Sequence, residues 1–160
     1  QRWRLLSLTA FGFAVMYAAI CSANCVLQFS FVRQQLASGN LAGLEPWTSA
    51  SPNSALFVTD NLGFFLQGIA TLALAPLFGG SRLMNAIKWL FILNGVSTAA
   101  GLVLISVSSL ASPSGQALYT VTVLVWGIVL AVALLLLAVA FRRRLLLGFH
   151  DRKAPQPAAQ

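Results

Sequence analysis

The chain has 160 residues, of which 58% are hydrophobic and only 8% are charged, and its mean hydropathy is +0.82. Because soluble domains carry about 25% charged residues, this composition excludes an ordinary soluble domain. The net charge of +7 does not indicate nucleic-acid binding, since such binding needs basic residues interleaved with stacking aromatics on one folded surface, and the sequence shows no such surface.

Four apolar stretches are each long enough to cross a hydrocarbon core of about 30 Å, which takes about 20 helical residues. They span residues 5–28, 54–78, 83–107 and 117–141. They lack the alternation of a transmembrane strand and are much longer than the about 9–11 residues that such a strand needs. The sequence therefore predicts an all-α integral membrane protein with four transmembrane helices in an up-down bundle, forming one domain over residues 1–153.

The basic residues are distributed unevenly among the segments that flank these stretches. All except Arg33 lie near the start of the chain, around the connection between the second and third stretches, or after the fourth stretch. This alternation follows the positive-inside rule, so both termini are expected on the cytoplasmic side of a cell (inner) membrane. The nine are Arg2, Arg4, Arg82, Lys88, Arg142, Arg143, Arg144, Arg152 and Lys153.

The first stretch carries two rows of residues with helical spacing. One row is small and predicts a ridge that a neighbouring helix backbone can approach closely. The other is polar, and its amides need hydrogen-bond partners inside a membrane. The rows are Ala10, Ala14, Ala18 and Ser22, and Tyr17, Cys21, Asn24 and Gln28.

Residues 29–53 are predicted to form an external loop, because their composition shifts to polar and turn-forming residues. Residues 30–37 have helical spacing and either extend the first helix or lie in the membrane interface. The sequence Ser38-Gly39-Asn40 should end any such helix. Ser51-Pro52 supplies a helix N-cap and a proline in the first turn, which predicts the start of the second helix.

The second stretch contains the one acid within the four apolar stretches, Asp60. Asp60, Gly63, Gln67 and Thr71 share one face of a helix that is otherwise apolar, so this face should turn toward other helices. Either Asp60 titrates or binds a cation, as acids in membranes commonly do, or it is a buried, hydrogen-bonded structural anchor that is protonated or paired with Arg33. The sequence leaves both interpretations open.

The third stretch carries a second small and polar face, whereas the fourth is nearly all aliphatic. Asn94, Ser97, Thr98 and Gly101 form the face of the third. The fourth has apolar residues on all sides and is expected to present most of its surface to lipid. Residues 154–160 contain only Ala, Pro and Gln and are expected to be disordered.

The depth of each polar residue in the membrane predicts which of these residues lie close enough to hydrogen-bond. At 1.5 Å per residue, Asp60 lies about 9 Å and Asn24 about 6 Å inside the external surface. Near that surface, an outer polar layer is therefore expected, formed by Asn24, Gln28, Asp60 and Asn61, with Arg33 within reach from the loop. A hydrogen bond between Gln67 and Asn94 is expected near the middle of the membrane. Helices one to three should share a common interior, with Gly63 and Gly101 as points of close approach. The candidate ligand- or ion-binding residues are Asp60, Asn24, Gln28, Asn61, Gln67, Asn94 and Arg33.

No nucleotide, metal or triad motif is visible, so no cofactor, metal or catalytic residue is expected. The composition favours a non-enzymatic membrane subunit or binding module that interacts with a partner protein or lipid. One alternative is a small oligomeric transporter or channel, coupled to protons or cations through Asp60. A membrane enzyme acting on lipid or quinone is less favoured, since Asp60, Tyr17 and Cys21 are its only candidate reactive groups. The expected partners are the bilayer, a membrane protein or further copies of this chain, and not nucleic acid.

Overall fold

The computed structural model describes residues 1–48, 54–107 and 112–151, with side chains for all of these except 105–107 and 144–151. Within these ranges the protein is helical and contains no strand. Four helices are long and apolar enough to cross a membrane, which confirms the predicted all-α class with four candidate spans.

The four helices are numbered in chain order. Helix α1 begins with Arg2–Val26 and continues without a break through a π-helical segment, Leu27–Val32, and the α-helical Arg33–Ala37. Helix α2 is Ala55–Leu74, followed by a 3-10 turn at Ala75–Leu77. Helix α3 is Arg82–Val107 and helix α4 is Pro113–Asp151.

The first helix does not end at residue 28 as predicted: residues 30–37 extend it, which is one of the two alternatives that the sequence left open, and the predicted loop 29–53 therefore begins only after Ala37. The helix runs on to Ala37 because residues 30–37 keep helical spacing, and the π-helical segment accommodates the extra residues in a wider turn. It ends where Gly39 adopts a φ of +71°, a left-handed conformation that favours glycine. Helix α4 also exceeds its predicted range of 117–141, since the basic residues after Phe141 continue the helix.

Serine side chains cap the three helices that follow α1. The Oγ atom of Ser54 accepts a hydrogen bond from the backbone N–H of Phe57 at 2.9 Å. Ser81 caps α3 and Ser112 caps α4 in the same way, at 3.3 and 3.1 Å. The predicted cap at Ser51-Pro52 and the predicted disordered tail 154–160 lie outside the described residues.

Helix α2 is the centre of the packing. It packs against α1 on one side and α3 on the other, and α3 also packs against α4. Aromatic side chains connect α2 directly to α4: the ring centroids of Phe64 and Trp126 are 4.6 Å apart. Among the described residues, α1 has no comparable contact area with α3 or α4. The prediction that helices one to three share an interior is therefore wrong, because α2, α3 and α4 form it.

Helix α1 is peripheral for a reason visible in its sequence. Its polar residues occupy a single row, so α2 and the loop before it are enough to contact them, and Gln28 bonds to Trp47 of that loop. Tyr17 and Cys21 face Gly63 of α2, and Asn24 bonds to Asp60 one turn earlier in α2. The row of small residues contributes only Ala10 to the packing; its other members are exposed.

The helices are antiparallel to their neighbours, so the bundle has two distinct ends. The loop that joins α1 to α2 lies at one end, called here the loop end. The short connection around Gly79 and Gly80 lies at the other, called the turn end. Since α1 begins and α4 continues past Phe141 at the turn end, the basic residues near the start of the chain, at the start of α3 and directly after Phe141 lie there, whereas Arg33 lies at the loop end. Arg152 and Lys153 lie outside the described residues.

The core at the turn end is built from small and large apolar residues. Alanines of α2 and α4 are almost fully buried and let the helices come close, and aromatic and branched side chains of α3 fill the space between them. The cluster comprises Ala75, Ile87, Phe91, Ala133 and Ala140.

Candidate functional site

The loop-end part of the α1–α2 interface contains a small polar cluster around Asp60. The Nδ2 atom of Asn24 donates to Asp60 Oδ1 at 2.5 Å and to Thr59 Oγ1 at 3.2 Å. Asn24 is only 8% exposed, whereas Asp60 is half-buried. Two of the predicted outer-layer residues thus meet, and Thr59 joins them without having been singled out from the sequence.

The other candidates of the outer layer have different partners. The Nε2 atom of Gln28 donates to the backbone oxygen of Trp47 at 2.9 Å, which ties the loop to α1. The Phe31 ring packs against Trp47 edge to face, with centroids 6.2 Å apart. Asn61 donates to the backbone oxygen of Phe57 within its own helix at 2.8 Å. It faces α4 rather than α1, since it lines the cleft between α2, α3 and α4.

Arg33 does not pair with Asp60. It lies on the extension of α1 and is exposed, and within the described residues it forms no ion pair. The continued helix carries Arg33 two and a half turns beyond Asn24 and away from the membrane-facing part of the interface. The expected neutralisation of Asp60 by Arg33 is therefore wrong, and a neutral amide, Asn24, is the partner that the structure provides.

The second polar site lies midway along the bundle and is centred on Trp126 of α4. Its indole Nε1–H donates to Gln67 Oε1 at 3.1 Å, and its backbone oxygen accepts from Asn94 Nδ2 at 3.3 Å. Thr71 Oγ1 donates to Asn94 Oδ1, also at 3.3 Å. Gln67 and Asn94 do not bond to each other, so that predicted pair is wrong: both bond to α4.

Two features of these sites escaped the sequence analysis. Trp126 is the only side chain with a strong hydrogen-bond donor in the middle of α4, and a buried indole N–H usually has a partner; this signal was available. Helices α2 and α3 also cross closely at Gly68 and Gly95. A Cβ on Gly68 would overlap the Thr98 side chain, and one on Gly95 would lie 2.7 Å from the Gly68 oxygen.

The glycines that the sequence did single out also lie at interfaces. A Cβ at Gly63 would lie 3.4 Å from Ile20 Cγ2 of α1, an ordinary contact distance. A Cβ at Gly101 would lie 3.3 Å from Thr122 Cγ2 of α4. These positions are less crowded than Gly68 and Gly95, so the closest helix contact lies between α2 and α3.

A narrow cleft opens between α2, α3 and α4 in the half of the bundle near the loop end. Its volume of about 40 Å³ is enough for a few water molecules or part of an alkyl chain. The walls are mainly apolar and aromatic, with the side chains of Asn61, Ser97, Thr98 and Thr122 as polar groups. The hydroxyls of Ser97 and Thr98 already bond to backbone oxygens of α3.

Hydrogen bonding is complete in both polar sites. Every buried polar side-chain atom in the described part of the chain has a hydrogen-bond partner. The described residues contain no group of three or more His, Cys, Asp or Glu side chains that could hold a metal ion. No protein-family model matches this chain, and comparison with curated proteins and with solved structures finds no significant match.

Proposed function

We propose that this protein is a non-enzymatic membrane subunit whose helix α1 packs against a transmembrane helix of a partner protein. In this proposal the four helices span a cell (inner) membrane, with the turn end and both termini on the cytoplasmic side. The observation that carries the proposal is the packing of α1. Among the described helices it packs extensively only against α2, its loop-end part also contacts Trp47, and much of its remaining surface is exposed.

The exposed side of α1 has the character of a helix-packing surface. Ala14, Ala18 and Ser22 are exposed at successive turns and follow the one member of their row, Ala10, that is buried. Without large side chains a second backbone can approach closely, and helix association in membranes depends on such packing rather than on the hydrophobic effect. Lipid alone would cover large apolar side chains equally well, so the small residues favour a protein partner.

Site-specific photo-crosslinking in native membranes tests this proposal. A photoreactive amino acid at residue 18 should give a discrete crosslinked protein of defined mass. The same amino acid at Ile128 is the matched control, because Ile128 is exposed in the middle of α4. Crosslinks to lipid only at residue 18, or the same protein crosslinked at both positions, would contradict the proposed use of α1.

A second candidate function rests on the surroundings of Asp60. The only side chains that the structure bonds to this carboxyl group or to its partner Asn24 are uncharged, and within the described residues no ion pair neutralises it. Acids inside membrane helices commonly mark the paths of protons or cations, which transporters use to couple to ion gradients. Against this role, no second acid lies nearby and Asp60 is anchored by Asn24. Proton flux in liposomes with the Asp60→Asn variant separates the two functions.

A further inference from the structure

A two-part cleft lies at the turn end, between the α2–α3 connection and α4. Its wider part has a volume of about 600 Å³ and opens to the surface. Two arginines from distant parts of the sequence, Arg82 at the start of α3 and Arg143 in α4, both line it, and none of the described side chains that line it is acidic. The remaining walls are backbone and side chains of residues 79–84 and the small Ala140.

The narrower part is apolar and continues from the wider one. Gly79, Met84 and Ala140 line both parts, so the two volumes adjoin. The narrower part measures about 110 Å³ and extends along α4. Its other walls are the apolar side chains of Leu77, Phe78, Leu137 and Phe141.

We propose that this cleft binds one anionic phospholipid, with the phosphate between Arg82 and Arg143 and the start of an acyl chain in the apolar part. Guanidinium groups bind phosphate oxygens through paired, charge-assisted hydrogen bonds. Basic pockets between transmembrane helices near the cytoplasmic surface are typical sites for acidic lipid headgroups. A soluble phosphate compound would leave the apolar part unused, whereas a phospholipid fills both.

The site depends on membrane insertion of the four helices, which is part of the proposed function, but not on a partner for α1. Arg82 and Arg143 are both exposed, so their replacement removes charge without opening the core. Arg2 and Arg4 provide a matched control, because they are also exposed at the turn end and do not line the cleft. If basic residues attracted lipid only diffusely, replacing either pair of arginines would reduce the amount of bound lipid equally.

Native mass spectrometry of the full chain, released from nanodiscs that contain phosphatidylglycerol and phosphatidylcholine, tests the proposal. Wild type should retain one phosphatidylglycerol in preference to phosphatidylcholine. Arg82→Gln/Arg143→Gln should lower the bound phosphatidylglycerol by about tenfold or more, and Arg2→Gln/Arg4→Gln by less than about twofold. Equal losses in the two double variants, or no loss in either, would overturn it.

Two further measurements complete the test. Inorganic phosphate or glycerol 3-phosphate in large excess should not displace the lipid; displacement would show a phosphate site without an acyl-chain subsite and would overturn the proposal. Circular dichroism checks that each variant is folded, and Arg143→Gln alone decides the result if the double variant does not fold. Membrane insertion is assayed separately by cysteine labelling, so a failure of lipid binding is distinct from a failure of the proposed function.

Discussion

At the scale of single residues, the contact between Asn24 and Asp60 is the clearest determinant of how α1 is held. Asn24 is buried, and its amide group finds its acceptors on α2. Replacing Asp60 with Leu removes the main acceptor and leaves the buried amide only its longer contact with Thr59, which we expect to cost about 1–2 kcal/mol. Unfolding in detergent, followed by circular dichroism, measures the loss.

The same position offers its own controls. Asp60→Asn keeps the acceptor oxygen and the shape, so it should unfold at nearly the wild-type midpoint. Val58→Leu changes an exposed residue of α2 close to Asp60 and should be silent. An unchanged midpoint for Asp60→Leu would show that Asn24 does not depend on this acceptor.

The indole of Trp126 is the second residue whose hydrogen bond can be isolated. Trp126→Phe keeps an aromatic ring against Phe64 but removes the Nε1–H group that donates a hydrogen bond to Gln67 Oε1. Since Gln67 is only 6% exposed, its oxygen would be left unpaired, at an expected cost of about 1–2 kcal/mol. Trp89→Phe is the control, because Trp89 is largely exposed.

A double-mutant cycle then tests whether the two residues act through each other. Gln67→Met alone leaves the indole N–H without its acceptor. The double variant with Trp126→Phe should therefore cost less than the sum of the single changes, by about 0.5 kcal/mol or more. Additive effects would mean that the Gln67–Trp126 bond contributes no stability.

At the scale of helices, the sequence predicted the elements well and their neighbours poorly. Apolar length depends on composition alone, and each of the four predicted stretches corresponds to a helix that is long and apolar enough to cross a membrane. The extension of α1 to Ala37 was one of two open alternatives, since residues 30–37 have helical spacing in either case. The crossing at Gly68 and Gly95 was missed because each glycine lies one position after a polar residue, Gln67 or Asn94, and so outside the row of residues from which Gly63 and Gly101 were chosen.

That crossing gives a prediction at the same scale. Gly95→Ala would place a Cβ against the Leu72 side chain and the Gly68 backbone oxygen, so the helices must separate. We expect a loss of about 1–3 kcal/mol, typical of overpacking. Gly127→Ala adds the same methyl group in the middle of α4, where nothing lies within 4 Å, and should be neutral or slightly stabilising.

Unfolding midpoints of the two alanine variants, measured side by side in one detergent, compare them directly. Both substitutions raise helix propensity equally, so any difference reports the space available at each site. Equal midpoints would contradict the close approach of α2 and α3.

At the scale of the molecule, the sequence shows which face of a helix is polar but not which neighbouring helix packs against that face. Gln67 and Asn94 were each predicted to be buried, and both are. Their mutual bond was wrong because depth alone cannot choose between α3 and α4 as the partner of Gln67. Helix α1 likewise presents one polar row, and its amides bond to α2 through Asn24 and to the loop through Gln28. Neither amide could show from the sequence that α1 lies at the edge of the bundle.

The distribution of charge gives the last prediction, the orientation of the bundle. Antiparallel packing brings the basic residues from three separate segments to the turn end, and short basic segments are retained in the cytoplasm. Trp47 at the loop end and Gly79 at the turn end are exposed, and a Cβ on Gly79 would meet nothing within 4 Å. In a Cys21→Ala/Cys25→Ala background, Trp47→Cys should react with an impermeant maleimide on intact cells. Gly79→Cys should react only after permeabilisation. The reverse pattern would invert the orientation, and reaction of both from one side would contradict four spans with the loop and turn at opposite ends.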